Sequence, residues 1–130
     1  MPCRATILHL AALALLSACG PEPEAAADGA VLYARHCAAC HGASATGGAA
    51  AGAPDLTRIA ARNGGVFPET RVMSVIDGYT RSDQHGARMP EFGALLADDI
   101  MLWQPPEGGA AVPTPRALVA LAAYLETLQR

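Results

Sequence analysis

The sequence contains no lysine: its nine basic residues are all arginine, set against twelve acids, for a formal net charge of −3. That balance lacks the basic excess on which nucleic-acid binding depends, so no nucleic-acid partner is expected. Aromatic side chains are sparse as well, six in 130 residues, whereas Ala, Gly and Pro number 29, 13 and 10. A core made of such small side chains is thin for its length, and something apolar from outside the chain is needed to fill it. No apolar run reaches the roughly 18 residues of a mature membrane-spanning helix. No stretch alternates apolar and polar residues as a half-buried strand does, and no segment repeats. The length suits one small domain and excludes a large multidomain enzyme.

Four cysteines are present, at 3, 19, 37 and 40, and their spacing points to separate tasks rather than to a two-bridge framework. Residues 5–16 (ATILHLAALALL) form an apolar run behind the single Arg4. The run is too short to span a bilayer as a mature helix and matches the apolar region of a secretory signal; the competing reading is a buried N-terminal helix. It closes on Leu16-Ser17-Ala18-Cys19, which resembles a bacterial lipobox. The resemblance implies a signal peptide at 1–18, cleavage before Cys19 and a diacylglycerol on the Cys19 sulfur, two or more acyl chains being enough to hold a protein at a membrane. Cys3 would leave with the signal. Residues 19–27 then read as a lipid anchor and flexible tether, with the folded domain at 28–130 on the periplasmic side of a bacterial membrane. Gly20, rather than Asp, after the lipid cysteine favours the outer membrane in Gram-negative lipoproteins.

Along the domain every element that can be read is helical. Asp28 is placed to cap a short helix carrying Val31 and Leu32 that delivers Cys37 and Cys40. Residues 42–52 are almost entirely Gly, Ala, Ser and Thr, an irregular loop lying close to something bulky. Asp55 caps a short helix over Leu56–Arg62, and Thr70–Ile76 forms another, stopped by Asp77-Gly78. Residues 79–93 lack periodicity and read as a loop bearing His85 and Met89, residues 94–103 read as helical, and the Pro- and Gly-rich residues 104–115 as loop. The clearest element runs from Arg116 to Leu128, where Leu118, Leu121, Ala122, Leu125 and Leu128 share one stripe, with Thr114 as cap and Pro115 at the first helical position. The expected class is all-α.

Cys37-Ala38-Ala39-Cys40-His41 is a C-x-x-C-H sequence, the attachment signature of c-type haem. Two thiols three residues apart on a helical turn reach the two vinyl groups on one porphyrin edge, and the next residue places an imidazole beneath the iron. Two readings compete. A thiol-redox C-x-x-C opens a helix after a strand, and no βαβ pattern precedes Cys37. A zinc site needs four ligands, and Cys37, Cys40 and His41 supply three, with His36 or His85 as lone extras.

With this motif in place the sequence resembles the class I cytochrome c family from Gly29 to Leu125. Gly29, Tyr33, Cys37, Cys40 and His41 follow the family's N-terminal pattern. Pro54 and Leu56 stand where the family has a proline whose carbonyl orients the histidine and a leucine packed on the porphyrin. Met89-Pro90 matches the distal ligand with its following proline, and Leu121 with Tyr124 the face of the last helix. The resemblance implies small helices wrapped around one haem c, the first and last helices crossing, with Cys37 and Cys40 as covalent attachments and His41 and Met89 as axial iron ligands.

The residues agree with this on their own terms. Gly29 lets two helices approach closely, and Tyr33 with Tyr124 can seal the crossing. Pro54 is an ordinary turn former, but its carbonyl could also accept the Nδ1 proton of His41 and so aim Nε2 at iron. For the sixth position Met73 and Met101 sit among core residues, His36 is badly placed, and His85 lies four residues before Met89 in the same loop; Pro90 stiffens the chain after Met89 and favours it over His85. A haem with both axial positions filled carries single electrons at its edge rather than catalysing, so an electron-transfer protein, not an enzyme, is expected, with redox proteins as donor and acceptor. The alternatives are a haem subunit of a larger oxidoreductase, an open-site haem protein with peroxidase-like or gas-binding activity, and a haem-free thiol or zinc lipoprotein. Without lysine there is no Lys ring at the haem edge; Arg81 and Arg88 flank the ligand loop instead. A haem filling the thin core also implies that the apo chain is largely unfolded.

Overall fold

Pro23, Glu24 and a run of three alanines begin the first helix, α1 (Pro23–His36), in the computed structural model, which describes residues 23–80 and 89–130. The expected signal peptide at 1–18, the lipidation at Cys19, and Arg81, His85 and Arg88 lie outside the described residues. The helix starts five residues before the expected cap at Asp28, so that residue stands inside it, exposed, and much of the expected tether is helical. The local reasons are plain: proline suits the first helical position, alanine is the best helix former, and Glu24 in the first turn with Arg35 and His36 in the last complement the helix dipole.

The chain then makes a short turn of helix, α2 (Ala38–His41), and the Gly/Ala loop, followed by a 3₁₀ turn (Leu56–Arg58) and α3 (Ile59–Arg62). Asp55 caps this pair as expected, accepting from the N–H of Thr57 at 2.8 Å. Helix α4 (Glu69–Asp77) ends on Gly78 in the left-handed conformation, also as expected. The last helix, α5 (Arg116–Thr127), turns Leu118, Leu121, Ala122 and Leu125 into the core.

Helices α1 and α5 cross at Gly29. A Cβ there would strike the carbonyl oxygen of Ala120 and stand 2.7 Å from both its carbonyl carbon and the Cβ of Tyr124. Beside the crossing Tyr33 is buried and its ring lies 5.4 Å from that of Tyr124, tilted by 51°. Around this contact gather Val72, Met73 and Ile76 of α4, with Leu96 and Trp103.

The expected all-α class is overturned. Ile100–Trp103 (β1) and Val112–Pro115 (β2) form an antiparallel pair in which Met101 faces Thr114 and Trp103 faces Val112. A turn, closed by the Leu96 N–H on the Phe92 carbonyl at 2.9 Å, and then β1 lie where the helix over 94–103 was expected. Along β1 exposure alternates, Ile100 and Leu102 facing outward and Trp103 inward, which is the two-residue period of a strand. Proline has no N–H to give to a ladder, so Pro113 and Pro115 occupy the positions whose nitrogens face away from β1, and Thr114 and Val112 make the pairing. Thr114 is thereby used in the strand, leaving Pro115 as the residue that caps α5.

Glu69, half-buried at the start of α4, has its carboxyl pushed upward from the ordinary value, first by burial and next by Glu126; a hydrogen bond from Trp103 opposes this, and Glu107 adds to it. A carboxyl raised in the folded state binds its proton there before the unfolded chain does, so stability rises as pH falls from neutral through that raised value. Glu69→Gln keeps an acceptor for Trp103 and removes the charge. We expect it to raise the thermal midpoint at neutral pH and to flatten the acid-side gain, as read by unfolding followed by circular dichroism across pH.

Candidate haem site

Cys37 ends the turn that joins α1 to α2. The N–H groups of Cys40 and His41 both donate to its carbonyl, at 3.1 and 3.0 Å, so the three motif residues share one helical turn. Cys37 is half-buried, Cys40 exposed, and both thiols are free. Burial, and then the neighbouring Cys40, push the Cys37 thiol up to about 11. A thiol-redox nucleophile is favoured by the opposite, a lowered value.

His41 is buried, and its Nδ1 lies 3.2 Å from the carbonyl oxygen of Pro54. A carbonyl only accepts, so Nδ1 carries the proton and Nε2 carries the lone pair, the tautomer an iron ligand requires. The backbone after His41 is fixed by Tyr33, whose hydroxyl donates to the Gly42 carbonyl at 2.7 Å. Burial is the main reason, ahead of Cys37 and Tyr124, that the Tyr33 phenol is raised to about 12, and it remains a donor throughout the ordinary pH range.

The loop between His41 and Pro54 folds back on the histidine. Gly47 donates to the His41 carbonyl at 2.9 Å, and the Leu56 N–H donates to the Ala45 carbonyl at 2.8 Å. Gly47 has a φ of +79°, and a Cβ on it would stand 2.7 Å from the Pro54 carbonyl carbon. Sequence reading missed this residue: neighbouring Gly48 has nearly the same φ, +82°, but open space around it.

Met89 is half-buried against the core, as are Cys37, Leu56 and Phe92. The segment after it is tied to the end of α4: the N–H groups of Phe92 and Gly93 donate to the carbonyls of Ile76 and Asp77, at 3.0 and 3.1 Å. Gly93 permits this approach, since a Cβ would stand 2.7 Å from the Asp77 carbonyl oxygen. Phe92 also meets the His36 ring edge-on at 6.2 Å. His36 is thus in a ring contact, Met73 is buried in the core and Met101 lies on β1.

These features fit a c-type haem. Two free thiols stand on one turn, a buried imidazole has its tautomer set by a backbone acceptor, and Leu56 and Met89 offer apolar surface that is only half covered. Among the described residues no group of three or more His, Cys, Asp or Glu side chains converges as a metal-ion site. A groove lined by Phe67, Glu69, Met101, Val119 and Glu126 lies elsewhere and shares no residue with the C-x-x-C-H motif.

No curated protein and no solved structure matches the chain. The profile of one family, described as cytochrome c oxidase, cbb3-type, subunit III, matches residues 24–104. That is more than half of the chain and takes in α1, the C-x-x-C-H turn, the Pro54 segment and Met89. The chain belongs to this family and carries a c-type cytochrome domain.

Proposed function

We propose that this protein is a lipid-anchored monohaem cytochrome that passes single electrons between redox proteins outside the cytoplasm. The hydrogen bond from His41 Nδ1 to the Pro54 carbonyl carries the reading, because it prepares the imidazole to ligate through Nε2 before any metal arrives. Cys37 and Cys40 would attach the haem through their thiols, and His41 and Met89 would hold its iron. Bound there, haem supplies a one-electron iron couple whose potential a thioether ligand raises. The chain's own part is to hold His41 and Met89, the two residues that would ligate the iron, and to leave Cys40 at the solvent-exposed margin of the site.

Cys19 is the proposed lipid attachment. Among the described residues no helix is long and apolar enough to cross a membrane. From Cys19 to the start of α1 the chain spans at most about 14 Å at full extension. The 14 residues of α1 then place the haem motif roughly 20 Å further along the helix axis. The anchor therefore holds the amino end of α1 near the bilayer on a short leash and raises the effective concentration of the carrier at membrane partners. The family description favours a second reading, in which the domain is the haem subunit of a larger oxidoreductase.

Denaturing electrophoresis with haem staining tests the proposal. The native chain is expected to stain and the Cys37→Ala, Cys40→Ala double variant to remain unstained and to lose most of its helical circular dichroism. An unstained native band overturns the electron-carrier reading. Native ferrous protein is expected to keep its absorption spectrum under carbon monoxide, and avid binding would replace the closed site with an open one suited to peroxidase-like or gas-binding activity.

A further inference from the structure

Just past α5, Gln129 and Arg130 reach across the molecule to the stretch that follows Pro54. The Gln129 amide nitrogen donates to the carbonyl of Leu56 at 2.9 Å and to that of Leu125 at 2.6 Å, while its oxygen accepts from the Ala60 N–H at 2.9 Å. Arg130 donates with its backbone N–H to the Thr57 carbonyl at 3.0 Å and with Nε to the Thr57 hydroxyl at 2.9 Å. Its Nη2 stands 3.8 Å from Asp55. Thr57 in turn donates to the Asp55 carboxylate through its N–H and its hydroxyl, at 2.8 and 2.6 Å.

Gly47 packs so tightly on the Pro54 peptide, at the start of this stretch, that a Cβ has no room. The Pro54 carbonyl is thus held between the Gly47 backbone and a segment clasped by the end of α5. At 3.2 Å its bond to His41 is already at the long end of the useful range, where a small displacement weakens it steeply. A weaker bond at Nδ1 makes the imidazole a poorer donor at Nε2.

We infer that Gln129 and Arg130 are positioning residues for His41: through Asp55–Thr57 they fix the Pro54 carbonyl and so set the donor strength of the proximal imidazole. Both lie beyond the residues matched by the family profile, which therefore does not imply them. The inference rests on the proposed ligation by His41 and adds a device that tunes it.

The test uses the haem-loaded full chain. Gln129→Ala removes all three side-chain bonds; Gln129→Met removes them too while keeping the length of the side chain and adding no charge. Both are expected to shift the midpoint potential upward, because a poorer imidazole donor stabilises ferric iron less. The His41 Nδ1–H, followed by NMR in the reduced protein, is expected to exchange with solvent severalfold faster. Leu128→Ala is the control: Leu128 packs on the core at the same end of α5, and its backbone N–H bonds within that end of the helix, to the Leu125 carbonyl at 3.2 Å. It is expected to lower thermal stability and leave potential and exchange unchanged. An unmoved potential in both Gln129 variants, or an equal shift in Leu128→Ala, overturns the inference. Haem staining of the wild type is read first, so a chain that carries no haem sinks the proposed function itself, whereas a haem-loaded chain with an unmoved potential sinks only the clasp.

Discussion

Replacement of Met89 by alanine is expected to turn a closed haem into one that binds carbon monoxide stoichiometrically in its ferrous form, with a fall in midpoint potential on the order of 100 mV, a fraction of the roughly 0.8 V that axial ligands span. Met89 is half-buried on the core, and the chain behind it is tied down where Phe92 and Gly93 bond to the end of α4. A methyl group in its place cannot reach a metal, and Pro90 restricts the backbone from moving to compensate. The potential falls because the thioether favours ferrous over ferric iron, and its loss removes that preference. Absorption spectra with and without carbon monoxide and a redox titration check both parts. If the variant stays closed and its potential holds, another side chain close to it in sequence, His85 first, is the ligand and the assignment of Met89 fails.

The second large effect is structural. Gly29→Ala is expected to lower the thermal midpoint by about 8 °C, the resultant of two opposed effects. Helix propensity favours alanine over glycine by up to about 1 kcal/mol. Against it, the new methyl meets the backbone of Ala120, which is not the far end of a flexible side chain and cannot swing aside. Overpacking of this kind costs about 3 kcal/mol, leaving a net loss of roughly 2 kcal/mol, each kcal/mol corresponding to about 4 °C in a domain of this size. Thermal unfolding of the haem-loaded protein measures it; an unchanged or raised midpoint would show that α1 and α5 do not cross in contact at this residue.

Where features depend on neighbours in sequence, they are legible without a structure. The stripe of α5, the Asp55 cap and the Gly78 stop follow from helical spacing and from the chemistry of single residues, whereas the pairing of Tyr33 with Tyr124 was suggested by the family resemblance. The hairpin was hidden because Ile100–Trp103 is short and uniformly apolar, a run that fits a helix as well as a strand until its partner is known. That partner contains Pro113 and Pro115, which argue against a strand unless their nitrogens face outward, and only the register reveals that they do. The early start of α1 was masked by a composition typical of linkers, although Pro23, Glu24 and three alanines also make a good first turn.

The chemistry of the site was fixed by the sequence itself: two thiols and an imidazole within one turn are a local arrangement, set by covalent spacing and needing no distant contact. What holds that imidazole was decided by the tertiary structure. The Pro54 carbonyl, 13 residues on from His41, was already read from the sequence; Gly47 among otherwise similar glycines and the clasp from Gln129 and Arg130, which reaches across 73 residues, were not. No local periodicity records such encounters, because they arise only when α5 packs across α1 and carries its far end to the segment behind Pro54.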